Sequence, residues 1–332
     1  MKTQSLLGAI VGDILRTTFS DKNFVLASDK PILSEKSKIS GYTVITLAVA
    51  KYIMEYYPLY EAEGRIEPGR SDKRKELLCK TILDLAKAHP ELDYPEWLNE
   101  WLSNDKCIPT KDKDGMTGLC LTPLVIYFTD RAYMESIWSV LCESLSVITI
   151  DNKSVTGVKA VATAIYSNYV YNVQGTQDFM ACLYNVRWPE TLSDIDSKYG
   201  WNTSLLKAIE PALSVFYQGD DEFMKNRPVT ELRSALEMVQ QIDGLQTLVT
   251  PSVTTMMQAN RGWWGFDELD GFRALMPTDL LEINDKFFEF MGERNYAYQP
   301  EDDDYSSSDI EPDENGFVSF GDLLKYTKNG TL

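Results

Sequence analysis

Ser40-Gly41-Tyr42-Thr43-Val44-Ile45-Thr46-Leu47-Ala48-Val49-Ala50 is the stretch whose reading decides the fold. From Thr43 to residue 57 the chain is apolar on most sides, which predicts a buried helix rather than a surface helix with one apolar stripe. Thr43 then belongs to the helix N-terminus, where a threonine hydroxyl can satisfy a free backbone N–H. Upstream, Gly8-Ala9-Ile10-Val11-Gly12-Asp13-Ile14 reads as a first helix. Asp13 is its one charged residue, a polar group near the helix end that can bond backbone.

Helical spacing continues outward from this stretch. Val155, Val158, Ala162, Ile165 and Tyr169 fall on one helix face. Pro228 suits a first helical position, and Leu232, Ala235, Leu236 and Val239 then form an apolar stripe. Thr278 can cap a helix carrying Leu280, Ile283, Phe287 and Phe290, with Gly292 near its end. Alternation at period two is scarce; composition admits a strand at residues 145–150. Loops are expected at residues 64–69, 104–118 and 188–200. No fixed-period repeat is present. The expectation is a single all-α domain over residues 1–295. Residues 296–332 form an acidic extension in which Glu301, Asp302, Asp303, Asp304, Asp309, Glu311, Asp313 and Glu314 surround three serines. Such a segment buries little apolar surface and is expected to be partly flexible. Residues 317–326 are apolar enough to dock.

The chain has 332 residues and an apolar fraction of 44%, enough for a sizeable core. Its 32 basic and 50 acidic residues leave a net charge of −18. That charge repels phosphate backbones and anionic membranes, so neither nucleic acid nor membrane is an expected partner. The one basic cluster, residues 70–75, includes Asp72 and is expected to be a solvated loop and helix start. The five cysteines are widely spaced without a Cys-x-x-Cys pair, which suggests reduced, mostly buried thiols in a cytoplasm rather than a zinc site or a disulfide framework. Residues 6–11 are too short and too polar a run for a signal peptide. No apolar stretch approaches the roughly 20 residues a spanning helix needs.

Four blocks resemble the ADP-ribosylglycohydrolase family, which includes the dinitrogenase reductase-activating glycohydrolases. Residues 8–14 resemble the family's Gly-Asp helix. Residues 40–50 match its Thr-Asp-Asp-Thr-Val-Met-Thr-Leu-Ala-Val-Ala run at the apolar and threonine positions. Residues 157–166 resemble the helix after its histidine-rich turn, and residues 246–265 resemble its last metal-binding helix. Residues 115–123 stand where the family has a Gly-Asn-Gly turn running into Ser-Pro. The blocks keep the family's order over residues 1–295. The resemblance implies an orthogonal helical bundle, ADP-ribose as ligand, and two magnesium or manganese ions that position the ribose and a water for glycoside hydrolysis.

The departures fall on the ligands. Gly41 and Tyr42 stand where the family has paired aspartates. Gly244 and Gln246 stand at the late aspartates if Thr247 is the aligned threonine; slipping by one brings Asp243 to the first place. Ser20 replaces a glutamate, Arg16 a glycine, and residues 149–153 hold no histidine. Such ions need about six hard oxygen ligands, mostly carboxylates and waters. With Asp13 and Asp243 the only surviving acids, no metal and no other cofactor is expected. Arg16 is either a surface residue or a replacement positive charge able to bind phosphate or carboxylate. Thr43 and Thr247 suit helix starts. Trp263 either packs or flanks a ligand. His89, the only histidine, suits a helix C-terminus. Residues 311–322 have partial EF-hand spacing but lack its first aspartate and closing glutamate; an acidic linker is the plainer reading.

Three functions follow as alternatives. The chain is a catalytically degenerate relative whose cleft binds ADP-ribose, a nucleotide-like ligand or a protein. Or it is an active hydrolase with rebuilt ligands, which requires carboxylates converging near Thr43 and Thr247. Or it is an interaction protein with a filled cleft, in which Tyr42, Arg16 and Gln246 pack into the site.

Overall fold

The computed structural model describes residues 6–19, 26, 31–62, 71–108, 115–128, 134–148, 152–170, 173–184, 205–217, 231–241, 246–261 and 269–291. Among these residues every regular element is a helix. In chain order they are α1 (Gly8–Phe19), α2 (Gly41–Ala62), α3 (Ser71–Ala88), α4 (Glu96–Asn104), α5 (Met116–Leu119), α6 (Thr122–Phe128) and α7 (Met134–Ile148). Then come α8 (Asn152–Val170), α9 (Val173–Tyr184), α10 (Leu205–Phe216), α11 (Leu232–Gln240), α12 (Gln246–Arg261), α13 (Leu269–Ala274) and α14 (Thr278–Met291). The chain divides into units Met1–Arg294 and Asn295–Leu332. The second unit, with the EF-hand-like spacing and the docking segment, lies outside the described residues, as do Pro228, Asp243, Gly244, Trp263 and Gly292.

Two helices set the architecture. Helix α2 is apolar all round in its first half, and Val44, Ile45, Leu47, Ala48, Val49, Ala50 and Ile53 are fully buried. A helix without a polar face is stable only when neighbours cover it, and α1, α3, α6 and α14 do so. Helix α1 lies antiparallel to α12 at the closest range two backbones allow. A Cβ at Gly8 would stand 2.4 Å from the Thr254 carbonyl oxygen, and one at Gly12 would stand 2.3 Å from the Pro251 Cα. Glycines four apart on one face let helices approach this closely. Hydrogen bonds fix the register: the Gly8 N–H donates to Gln258 Oε1 at 3.2 Å, and Thr254 Oγ1 donates to the Gly8 carbonyl at 2.8 Å. On the far side of α12, α8, α10 and α11 complete the packing.

Local spacing identified several helices correctly. Val158, Ala162 and Ile165 of α8 are buried, as are Leu232, Ala235, Leu236 and Val239 of α11 and Leu280 and Phe287 of α14. Other expectations are corrected. Residues 145–148 close helix α7 instead of forming a strand, because a short apolar run fits either element until packing decides. Residues 116–118 belong to the short helix α5, entered through Gly115 at φ 71°, and residue 104 closes α4, so neither end of the expected loop is loop. Thr278 lies inside α14 rather than capping it, since the Leu281 N–H bonds the Pro277 carbonyl.

Arg74 is not solvated. Its guanidinium clasps Glu143 of α7 through two bonds of 2.8 and 2.7 Å, and it is only 5% exposed. A bidentate pair suits the planar guanidinium and fixes α3 against α7. His89 follows α3 and ties it to α14, its Nε2 standing 2.9 Å from Asp279 Oδ2. Of the five cysteines only Cys120 is buried; Cys79, Cys107 and Cys142 are half-buried and Cys182 is exposed. Among the described residues no helix is long and apolar enough to cross a membrane.

Candidate functional site

The front of α2 is held by a side chain of α1. Ser40 precedes the helix, and its Oγ accepts the Tyr42 N–H at 3.3 Å, the usual service of a serine N-cap. Ser40 is itself anchored on Asp13. Its N–H donates to Asp13 Oδ2 at 2.9 Å, and its hydroxyl donates to Oδ1 at 2.7 Å. Thr43 Oγ1 donates to Oδ2 at 2.7 Å. Arg16 Nη2 completes the set at 3.2 Å from Oδ1, and also reaches Ser40 Oγ at 3.4 Å. The Asp13 carboxylate, 1% exposed, thus accepts from four donors, two on each oxygen. The arrangement explains a charge inside a helix bundle, since a buried carboxylate persists when it is paired and hydrogen-bonded.

Arg16 joins the site from α1. Its Cζ lies 5.0 Å from the centre of the Tyr42 ring, within cation–π range. Its side chain is 23% exposed, so one edge meets solvent while Nε is buried without a hydrogen-bond partner. Tyr42 is 6% exposed and Thr43 is fully buried. The antiparallel register, Gly8 beside Thr254 and Gly12 beside Pro251, carried one turn further, sets Arg16 abreast of the first turn of α12. That turn holds Gln246 and Thr247. Asp13, Arg16, Tyr42 and Thr43 therefore meet in one place, with the start of α12 alongside.

Gly41 has a neighbour that the sequence did not reveal. A Cβ there would stand 2.3 Å from Cδ1 of the Tyr94 ring and 2.8 Å from the Asp93 carbonyl oxygen, which already accepts the Gly41 N–H at 2.9 Å. Tyr94 is fixed in turn, its hydroxyl donating to the His89 carbonyl at 2.8 Å and to the Ala86 carbonyl at 3.1 Å. Burial pushes the Tyr94 phenol above its usual range, and the Glu91 charge adds to the shift. On the other side, Cys120 Sγ lies 3.4 Å from the Tyr42 carbonyl oxygen. Trp97 Nε1 donates to Thr117 Oγ1 at 3.1 Å and fixes α5 beside α4. Among the described residues no group of three or more His, Cys, Asp or Glu side chains could hold a metal ion.

One prediction arises directly. Gly41→Asp restores the residue type that the resemblance puts at this position. It is expected to cost about 2 kcal/mol or more, because the new side chain must displace an anchored ring and a backbone carbonyl. Urea unfolding checks this. Unchanged stability would mean that Tyr94 swings aside and leaves room for a carboxylate.

No protein-family model matches the chain, and no curated protein matches its sequence. Among solved structures, one titled "ADP-ribosylglycohydrolase-related protein complex" matches over 86% of this chain and 95% of its own, with a TM-score of 0.53 and 11% identity. The chain has an ADP-ribosylglycohydrolase-like helical fold. At that identity the likeness is one of fold, and the chemistry must be argued from this chain's own residues.

Proposed function

We propose that this chain is a catalytically degenerate relative of the ADP-ribosylglycohydrolases, without the two-metal centre, in which its own side chains fill the metal position. The observation that carries the reading is the contact at Gly41. The Tyr94 ring stands where a side chain at that position would begin. The donor chemistry supports it. Two divalent ions need hard oxygen ligands with free lone pairs. Asp13 has both oxygens committed to four protein donors, one of them the Arg16 cation. Gly41 and Tyr42 supply no carboxylate. These residues do not fit magnesium or manganese, and they leave a metal-assisted hydrolysis without its ligands. Burial of Tyr42 under the Arg16 guanidinium favours the filled cleft and a role in protein interaction over an active hydrolase. A cytoplasmic location rests on the widely spaced cysteines, which lack the pattern of a disulfide framework.

A second reading, a residual site for ADP-ribose or a related ligand, is favoured by Arg16 itself. Its outer edge is exposed and its buried Nε has a hydrogen still to donate. Calorimetric titration with ADP-ribose, with and without magnesium and manganese, separates the readings when paired with an assay of release from ADP-ribosyl-arginine. The filled cleft predicts no heat and no release under any condition. Metal-independent heat that Arg16→Lys abolishes would establish the second reading. Metal-dependent turnover would overturn both.

A further inference from the structure

The turn that carries the Tyr94 ring onto Gly41, residues 89–95, begins at the chain's one histidine. His89 fastens that turn at its α3 end. Its side chain is 8% exposed, and both ring nitrogens face carboxylates. Nε2 stands 2.9 Å from Asp279 Oδ2 in the first turn of α14, and Nδ1 stands 3.5 Å from Glu91 Oε1 on the turn itself. An ionised carboxylate only accepts, and a neutral imidazole has one N–H to give. The ring serves both neighbours when both nitrogens are protonated. A cation there also suits the C-terminal end of α3.

The backbone of the turn carries this tie toward the site. The His89 carbonyl accepts the Tyr94 hydroxyl at 2.8 Å and the Leu92 N–H at 3.3 Å. At the far end the Asp93 carbonyl accepts the Gly41 N–H at 2.9 Å, and Asn99 Nδ2 donates to the Tyr94 carbonyl at 3.0 Å. Residues 89–95 are thus a short strap, fixed to α14 by the His89 ring and to α2 by the Gly41 N–H, with the Tyr94 ring between.

We propose that His89 is a proton-operated clasp: doubly protonated, it fastens the strap to α14 and seats Tyr94 on Gly41, and loss of one proton loosens that seat. This regulation rests on the reading that the Tyr94 ring fills the site. Histidine side chains change charge between about pH 5 and 8, where carboxylates are ordinarily ionised. Among the described residues, Asp279 of α14 and Glu91 of the turn are the charged side chains that meet the ring. Lys87, in the last turn of α3, is engaged with Asp105, and Lys38 with Asp93. The direction follows. In acid the ring donates to both carboxylates. As pH rises, one nitrogen turns from donor to acceptor, and one carboxylate is left facing a lone pair.

Hydrogen exchange of the Gly41 amide reads the seat, and the ring signals of the one histidine read the clasp. In the isotope-labelled full chain, the Gly41 protection factor, corrected for the intrinsic pH dependence of exchange, is expected to fall about threefold across the histidine titration, the size of one solvent-facing ion pair. The fall should vanish in His89→Gln and in Asp279→Asn. Asp279 is 60% exposed, so its variant keeps the fold even where His89→Gln does not. A Gly41 amide equally protected before and after the ring titrates would overturn the clasp and leave the filled site standing, as would a fall that persists unchanged in Asp279→Asn. A Gly41 amide without protection at any pH would overturn the filled site, and the clasp with it.

Discussion

Asp13→Ala is expected to destabilise the protein by about 4 kcal/mol, the range seen when one partner of a buried charged network is removed. Four donors lose their acceptor at once: the Ser40 N–H, the Ser40 and Thr43 hydroxyls, and Arg16 Nη2. The Ser40 N–H and the Thr43 hydroxyl are buried and have no route to bulk water, so their desolvation is left uncompensated. Arg16 contributes less to the loss, because its side chain is 23% exposed and can turn toward solvent. Asp13→Asn should cost less than alanine, since the amide keeps the shape and one acceptor but presents its NH2 to groups that also donate. Equilibrium urea unfolding measures both. A loss under about 1 kcal/mol for the alanine variant would mean that the network is not what holds the front of α2. The same experiment bears on function. A ligand that binds only the folded state raises the unfolding midpoint by mass action. With Asp13 committed to protein donors, millimolar magnesium or manganese is expected to leave the wild-type midpoint where it is. A rise that Asp13→Ala abolishes would identify Asp13 as a metal ligand after all.

What could be read from the sequence follows the range of the interactions. The buried faces of α8, α11 and α14 were legible because helical packing repeats within a few residues. Residues 40–50 announced α2 because a run without a polar face has few alternatives to burial. The partners of its first turn were not legible. Asp13 reaches Ser40 across 27 residues, and no local pattern states that α1 feeds the cap of α2. Tyr94 is less legible still: it is an ordinary tyrosine in a polar segment, and only the fold shows that its ring lies on Gly41. Arg74 was misread for the same reason, since its neighbours are charged and its true partner, Glu143, is 69 residues away. The absence of carboxylates at Gly41 and Tyr42 was visible in the sequence. The contact of the Tyr94 ring with Gly41 was not, because it joins two segments far apart in the chain.

Gly12→Val is expected to cost about 4 kcal/mol and to loosen α1 from α12. The magnitude rests on overpacking at a backbone contact, which begins at about 1–3 kcal/mol and exceeds that where neither side can yield. Here neither side can. The Cβ alone would stand 2.3 Å from the Pro251 Cα, 2.5 Å from its Cβ and 2.6 Å from Thr254 Oγ1. Two of those atoms belong to a proline ring or its backbone, which has no rotamer to change. The third belongs to a hydroxyl that bonds the Gly8 carbonyl, so moving it breaks a second tie between the helices. Valine then adds two methyl groups to a position already closed. Gly12→Ala separates the terms: alanine favours a helix over glycine by about 1 kcal/mol, so a net loss in that variant isolates the clash. Unfolding midpoints give the stabilities, and because the chain has 18 tyrosines and 7 tryptophans, the Tyr42 signal is taken as the near-ultraviolet circular dichroism difference between each protein and its Tyr42→Phe counterpart. Pushing α1 off α12 shifts Asp13 and Arg16 away from the first turn of α2, so the Tyr42 signal should weaken in proportion to the stability lost. A stable Gly12→Val protein with an unchanged signal would mean that the two helices are free to part without disturbing the site, and the glycine pair would not be what sets its geometry.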